Sequence, residues 1–246
     1  MKQVIQIATN NAAWCDLICR LHGCPGEFRQ GLWLNLHVVP PFYPNAVTLA
    51  GDNASMAAAL GALAGRPEIS TWAAKDSFGR LDLSSFGLKR LFGAAWIARP
   101  AMLPVSESQL PGIQWRRIES VDDLDHWERA WRCAGGIPED DAWKRIFPAA
   151  LLAESDVAVL AAYRGGGIVA GAMANLAAGY VGLTNIFAAE SDTAGVIAGC
   201  VHSASELFSG VPLAGYESGE RLKVMKTLGF ESIGPLAVWA KSAGSG

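Results

Sequence analysis

The sequence predicts an α/β protein, a mixed α+β sheet built twice in two tandem units. Three observations carry this. The chain is 51% hydrophobic and 17% charged over 246 residues, the composition of a buried sheet. Runs of β-type residues alternate with helical periodicity through both halves. A set of residues also recurs in register between the halves.

In chain order, Asn11 to Leu21 is expected as a helix with Trp14, Ile18 and Leu21 on one face. Leu32 to Val39 is an apolar strand ended by Pro40-Pro41. Ala46 to Ala50 follows as a strand, Ala54 to Ala64 as an alanine-rich helix and Glu68 to Lys75 as a strand. Leu81 to Phe92 is expected as a helix and Ala94 to Arg99 as a closing strand. Pro100, Pro104 and Pro111, with Ser106 and Ser108 between them, mark a linker over Pro100 to Gly112. The expected domains are therefore residues 1–105 and 112–246.

The second half opens with a strand at Trp115 to Ile118. A helix then starts at the N-cap Ser120, with the stripe Val121, Leu124, Trp127, Ala130 and Trp131, and stops at Gly135-Gly136. A further helix is expected over about Asp140 to Glu154, split or kinked by Pro148. Val157 to Tyr163 and Ile168 to Ala177 form a hairpin around Arg164-Gly165-Gly166-Gly167. Tyr180 to Ala188 is the next strand, and Glu190-Ser191-Asp192-Thr193 supplies capping residues for a helix to about Phe208. Val211 to Tyr216 is a strand, Glu220 to Leu228 a helix capped by Gly229, and Pro235 to Lys241 the final strand, after a short strand element at Glu231 to Ile233.

Laid over each other, the halves match Asp76-Ser77 to Glu217-Ser218, Arg80-Leu81 to Arg221-Leu222, Gly87 to Gly229 and Trp96 to Trp239. Acid-Ser, Arg-Leu, Gly and Trp thus recur at nearly constant spacing, which is read as a diverged tandem repeat, the alternative being two unrelated α/β units.

Composition excludes several classes of function. The longest apolar stretches, such as Val157 to Ala162 and Val169 to Ala178, are cut by Gly165, Gly166, Gly167 and Asn175 far short of the ~20 residues of a membrane span. The start, Met1-Lys2-Gln3-Val4, has no secretory pattern, and an odd count of five cysteines is no disulfide scaffold. A cytoplasmic protein is expected. A net charge of −3 offers no footprint for nucleic acid. Nine tryptophans point to large buried surfaces between domains or subunits, a homodimer included.

The element order of the second half, its Gly-turn hairpin at Arg164 to Gly167 and the ending Lys226-Thr227-Leu228-Gly229-Phe230 before a strand resemble the GCN5-related N-acetyltransferase (GNAT) superfamily. The first half resembles only the later part of that fold, from its fourth strand onward. The resemblance therefore implies a tandem arrangement with a degenerate, truncated N-terminal copy. It also implies acyl transfer from acetyl-CoA, as co-substrate, to a small amine or amino-acid-like acceptor. By the same resemblance Ile186, Phe187 and Ala188 lie along the pantetheine arm. Thr193, Ala194, Gly195, Val196, Ile197 and Ala198 form the turn that receives the pyrophosphate on a helix N-terminus.

The chain departs from that pattern in two places. The usual pyrophosphate loop carries an Arg or Gln, whereas Ser191-Asp192-Thr193-Ala194-Gly195 has none, and Asp192 serves equally as an ordinary helix cap. Gly51-Asp52-Asn53-Ala54-Ser55, the equivalent turn of the first half, is likewise without a basic residue, so one cofactor site at most is expected. Counted back from Gly229, the customary Asn and Tyr positions hold Ser218 and Met225.

Glu217 is therefore the expected base or amine contact and Tyr216 the proton donor, with Ser218 and Asn185 beside them. The ordinary alternatives are that Glu217 caps the next helix and that Asn185, inside an apolar strand, bridges the splayed strands. Glu190 is a further acid within reach, and a non-catalytic ligand- or partner-binding protein is the competing reading. Cys15, Cys19, His22 and Cys24 cluster locally, but their spacing fits the buried face of a helix better than zinc, and no metal is expected.

Overall fold

The computed structural model describes residues 1–51, 54–66, 68–104, 112–137, 145–188 and 193–241. The chain divides into two compact units, Met1–Trp96 with Ser232–Gly246 and Ile97–Glu231. These do not follow the linear boundaries expected above. The physical reason is that the last strand of the chain pairs with a strand of the first half.

In the first unit, helix α1 (Lys2–Leu21) begins nine residues earlier than the sequence reading, because Val4, Ile7 and Ala8 extend the buried stripe of Trp14, Cys15 and Ile18. Strands β1 (Glu27–Arg29) and β2 (Leu32–Leu34) form a short hairpin, the first of them unanticipated and the second far shorter than Leu32 to Val39. Strand β3 (Ala46–Thr48), helix α2 (Ala54–Ala64) and strand β4 (Trp72–Asp76) follow, with β3 and β4 parallel.

The expected helix over Leu81 to Phe92 does not form. The buried Asp76 carboxylate accepts from the Phe78 and Leu81 N–H groups, and Asp82 Oδ1 accepts from Ser84 N–H, so side chains satisfy donors that a helix would need. Only a 3₁₀ turn, Ser84–Phe86, results before strand β5 (Lys89–Arg99). The chain enters the second unit within β5 and leaves it at the start of β11 (Glu231–Lys241), one continuous strand rather than two, which pairs antiparallel with β4. Trp96 and Trp239 both belong to the first unit. Trp96 is fully buried and donates to Ser77 O, and Trp239 packs on the core around Leu60 and Trp72.

In the second unit, strand β6 (Gln114–Arg117) precedes helix α3 (Val121–Gly135), which has the expected Ser120 N-cap and a left-handed Gly136 at its end. The second expected helix is reduced to a 3₁₀ turn, Ala149–Ala153, after Pro148, and its stretch over residues 140–144 lies outside the described residues. Strands β7 (Val157–Arg164), β8 (Gly167–Ala177) and β9 (Tyr180–Ala188) form an antiparallel meander. Gly165 and Gly166 both have positive φ, 58° and 85°, as the two-residue turn between β7 and β8 requires. Helix α4 (Thr193–Leu207), strand β10 (Leu213–Glu217) and helix α5 (Gly219–Thr227) complete the unit, whose strand order is β10-β9-β8-β7-β6.

Successive residues of β9 point to opposite faces. Phe187 packs edge-on against Trp127 of α3 at 5.2 Å, while Ala188 packs with Val196 of α4, so the two helices cover opposite faces. Gly171 makes the first contact feasible. A Cβ there would lie 2.6 Å from the Phe187 ring and 2.8 Å from Leu160 O. Among the described residues no helix is long and apolar enough to cross a membrane.

Candidate functional site

Strands β9 and β10 run parallel but pair only at Leu213 with Val181 and at Ala214 with Gly182. Beyond these two positions they separate. The remaining residues of both strands, Leu183 to Ala188 and Gly215 to Glu217, are not paired with each other across this boundary.

The gap coincides with an irregularity in β9. Met173 pairs with Thr184 and Gly171 with Phe187, so Asn185 and Ile186 together oppose Ala172 in a β-bulge. Asn185 has φ 53°, the left-handed region that asparagine tolerates best after glycine. Thr184 Oγ1 donates to its Oδ1 at 3.2 Å. The expected site residue is thus the pivot that turns β9 away from its neighbour. Replacing Asn185 by Val is expected to cost about 2 kcal/mol in urea unfolding, because a β-branched residue enters that region with strain, whereas Asn185→Gly keeps the bulge and costs less.

Ile186, Phe187 and Ala188, the expected cofactor contacts, line a cavity of about 360 Å³ at this edge, with Trp131, Ala134 and Gly135 from the end of α3 and Arg221 from the first turn of α5. The Phe187 side chain does not plug the gap, since it is held on Trp127. The residue that enters is Arg221, whose Nη2 donates to the Ile186 carbonyl. In sequence Arg221 is marked only by its match to Arg80 in the repeat. Its geometry depends on a carbonyl freed 35 residues earlier, which no local pattern reports.

Tyr216 and Glu217 end β10 back to back. The register puts Glu217 on the α4 face, near the Arg221 guanidinium and the buried, neutral Cys200 thiol, and Tyr216 on the α3 face. Both are half-buried, and neither lines the cavity itself. Burial raises the pKa of Glu217 above its ordinary value, against the opposing pull of the Arg221 guanidinium and the Ser218 N–H. Ser218 is exposed at the N-cap of α5 and makes no side-chain capping bond.

Helix α4 begins at Thr193, so Thr193, Ala194, Gly195 and Val196 form its first turn. Ile197 and Ala198 fall in the next turn, with their N–H groups inside the helix, and the side chains of Val196 and Ile197 are buried in the core. The first four positions are thus the ones able to receive an anion, and Glu190, Ser191 and Asp192 lie outside the described residues.

A larger cavity of about 550 Å³ lies against β6 and α4, between Trp115, Arg117, His202 and Glu206. It is remote from the gap. Cys15 and Cys19 are buried on α1, where burial raises their thiol pKa values, and no group of three or more metal-ligating side chains occurs among the described residues.

No family profile and no curated protein matches the chain. Solved structures do. A GCN5-related N-acetyltransferase from Kribbella flavida superposes with a TM-score of 0.62 at 18% identity, over 97% of this chain and 96% of that one. The fold is that of the GCN5-related N-acetyltransferases. A Novosphingobium aromaticivorans protein described as an acetyltransferase of the GNAT family gives 0.54 at 13% identity, over 96% of this chain and 99% of its own. A Staphylococcus epidermidis protein of unknown function gives 0.67 at 10% identity, over 88% and 93%. The parted strands and the bulged β9 are therefore features of a chain with the GNAT fold.

Proposed function

We propose that the second unit transfers an acyl group from acetyl-CoA, or a related acyl-CoA, to a small amine. The observation that carries this reading is the end of β9–β10 pairing after two residues, with a cavity at the β9 edge and the first turn of α4 after the strand. A strand edge not paired with its parallel neighbour suits the amides of an extended pantetheine arm, and a helix N-terminus suits a pyrophosphate.

In the proposed reaction the amine nitrogen attacks the thioester carbon. The C–N bond forms, the C–S bond breaks and its electron pair leaves on sulfur. Glu217, ionised, takes the proton lost by the amine through an intervening water, and Tyr216 on the opposite face of β10 protonates the thiolate. A carboxyl with a raised pKa is the better base for this step, since its basicity lies closer to the working pH.

The same reading takes the first unit as a second copy whose cleft is closed. Its parallel strands β3 and β4 pair at Ala46 with Ala74 and at Val47 with Lys75, and directly beyond them Thr48 Oγ1 accepts from Ser77 N–H at 2.7 Å. Where β9 and β10 part, these strands are stitched together, which supports one site per chain. Five thiols and no disulfide suit a cytoplasmic setting.

Titration calorimetry with acetyl-CoA, followed by thiol release in the presence of a panel of primary amines, tests the proposal. Micromolar binding and amine-dependent release of free CoA are expected. A folded protein that neither binds nor is thermally stabilised at millimolar acetyl-CoA would return the non-catalytic reading.

A further inference from the structure

We propose that Arg221 is a carboxylate receptor, so that the cavity beside it takes a reactant bearing a carboxylate. The inference deepens the acyltransferase reading and rests on it for the identity of the reactants. Among the described residues Arg221 is the one charged side chain lining the 360 Å³ cavity; the other described walls are Trp131, Ala134, Gly135 and the strand residues Ile186 to Ala188. Its single hydrogen bond among the described residues is to the Ile186 carbonyl, which uses one of five guanidinium N–H donors. Glu217 lies near enough for the two charges to interact, yet forms no ion pair with it.

A half-buried guanidinium facing an apolar pocket, with no ion pair among the described residues, is costly to desolvate. A ligand carboxylate fits its fork with two parallel N–H···O bonds and removes that cost. An amine or a neutral acyl group does not. The cavity's volume suits a reactant of amino-acid size, held by its carboxylate at Arg221 and packed on the Trp131 indole.

The carboxylate has two sources, the amine acceptor or a dicarboxylic acyl group. Matched probes separate them. Free amino acids are compared with their amides, and succinyl-CoA with acetyl-CoA. Half-saturating concentrations are read from thermal stabilisation in the unaltered protein, in Arg221→Gln and in Arg221→Lys. In one of the two arms the unaltered protein is expected to favour the acid at least about tenfold over its neutral partner. The preference is expected to fall to about twofold in Arg221→Gln and to an intermediate value in Arg221→Lys, which keeps a point charge without the fork.

Each ratio is taken within one protein, so any loss of folded material in a variant cancels. A preference in the amino-acid arm assigns the carboxylate to the acceptor, and one in the acyl-CoA arm assigns it to the donor. No preference in either arm, or a preference that survives Arg221→Gln, overturns the proposal. Release of CoA is measured in the same samples. Carboxylate-selective binding without release would sink the transferase reading alone, and release without carboxylate selectivity would sink this inference alone.

Discussion

Substituting Glu217 by Gln is expected to lower kcat/KM for acyl transfer by about 10²-fold or more at neutral pH, the usual contribution of a positioned base. The folded protein is expected to become slightly more stable in the same step. The sign follows from burial, which raises the Glu217 pKa above its unfolded value. Between the two values the folded chain holds more protons than the unfolded one, so this group's contribution to stability falls as pH rises through the folded pKa. At neutral pH the carboxylate is ionised at a cost that a neutral amide does not carry. A Tm about 2 °C above that of the unaltered protein is therefore expected at pH 7. The gain should shrink toward acid pH, where the carboxyl is protonated. The pH profile supplies the second check. In the unaltered enzyme the acidic limb of kcat/KM is expected above the ordinary carboxylate value, and it should be absent from the residual activity of Glu217→Gln. Activity that survives the substitution with its acidic limb intact would remove Glu217 from the chemistry.

What could be read from sequence is what local signals determine. Strand β9 has the bounds Tyr180 and Ala188 in both accounts, and α3 starts at Ser120 and stops at Gly136, because alternation, cap and glycine all act within a few residues. The Arg164 to Gly167 turn is of the same kind. Reading failed where a side chain reached across the fold. Leu81 to Phe92 has helical spacing, but the Asp76 carboxylate took the N–H groups that a helix would have used. Asn185 stood out as an amide in an apolar strand, yet the bulge it makes shows only in the register against β8. Tyr216 and Glu217 end β10, one residue past the strand end expected from sequence, and their opposite orientation follows from strand pairing. Arg221 was visible as half of a repeated Arg-Leu pair, and its contact with Ile186 needed the strands to part first.

The largest stability effect is expected at a residue that no sequence pattern singled out. Glu128, on α3, is 5% exposed and Arg132, one turn on, is 6% exposed. Glu128 Oε1 accepts from Arg132 Nε at 3.1 Å and Nη2 at 2.9 Å, and from the Ile146 N–H at 2.8 Å; its Oε2 accepts from the Phe147 N–H at 3.0 Å. One carboxylate thus pins the segment 145–148, expected from sequence to be helical, onto α3. Phe147 is thereby set edge-on between Trp127 at 5.5 Å and Trp131 at 5.3 Å, and Trp131 walls the cavity. Glu128→Ala removes the acceptor of two main-chain donors and the counter-charge of a buried guanidinium together. The expected loss is about 3–5 kcal/mol in urea unfolding, the range for breaking one side of a buried pair. Glu128→Gln keeps the shape and one carbonyl oxygen and should cost less. Arg132→Met should cost less still, since the carboxylate retains both N–H donors and only its charge partner is lost. Starting from Arg132→Met, adding Glu128→Gln is expected to cost less than the same change made alone, because no cation then remains to be left without its carboxylate. Equal costs in the two backgrounds would mean that the ion pair contributes nothing beyond the two main-chain bonds, and the anchoring of Phe147 would then rest on the latter.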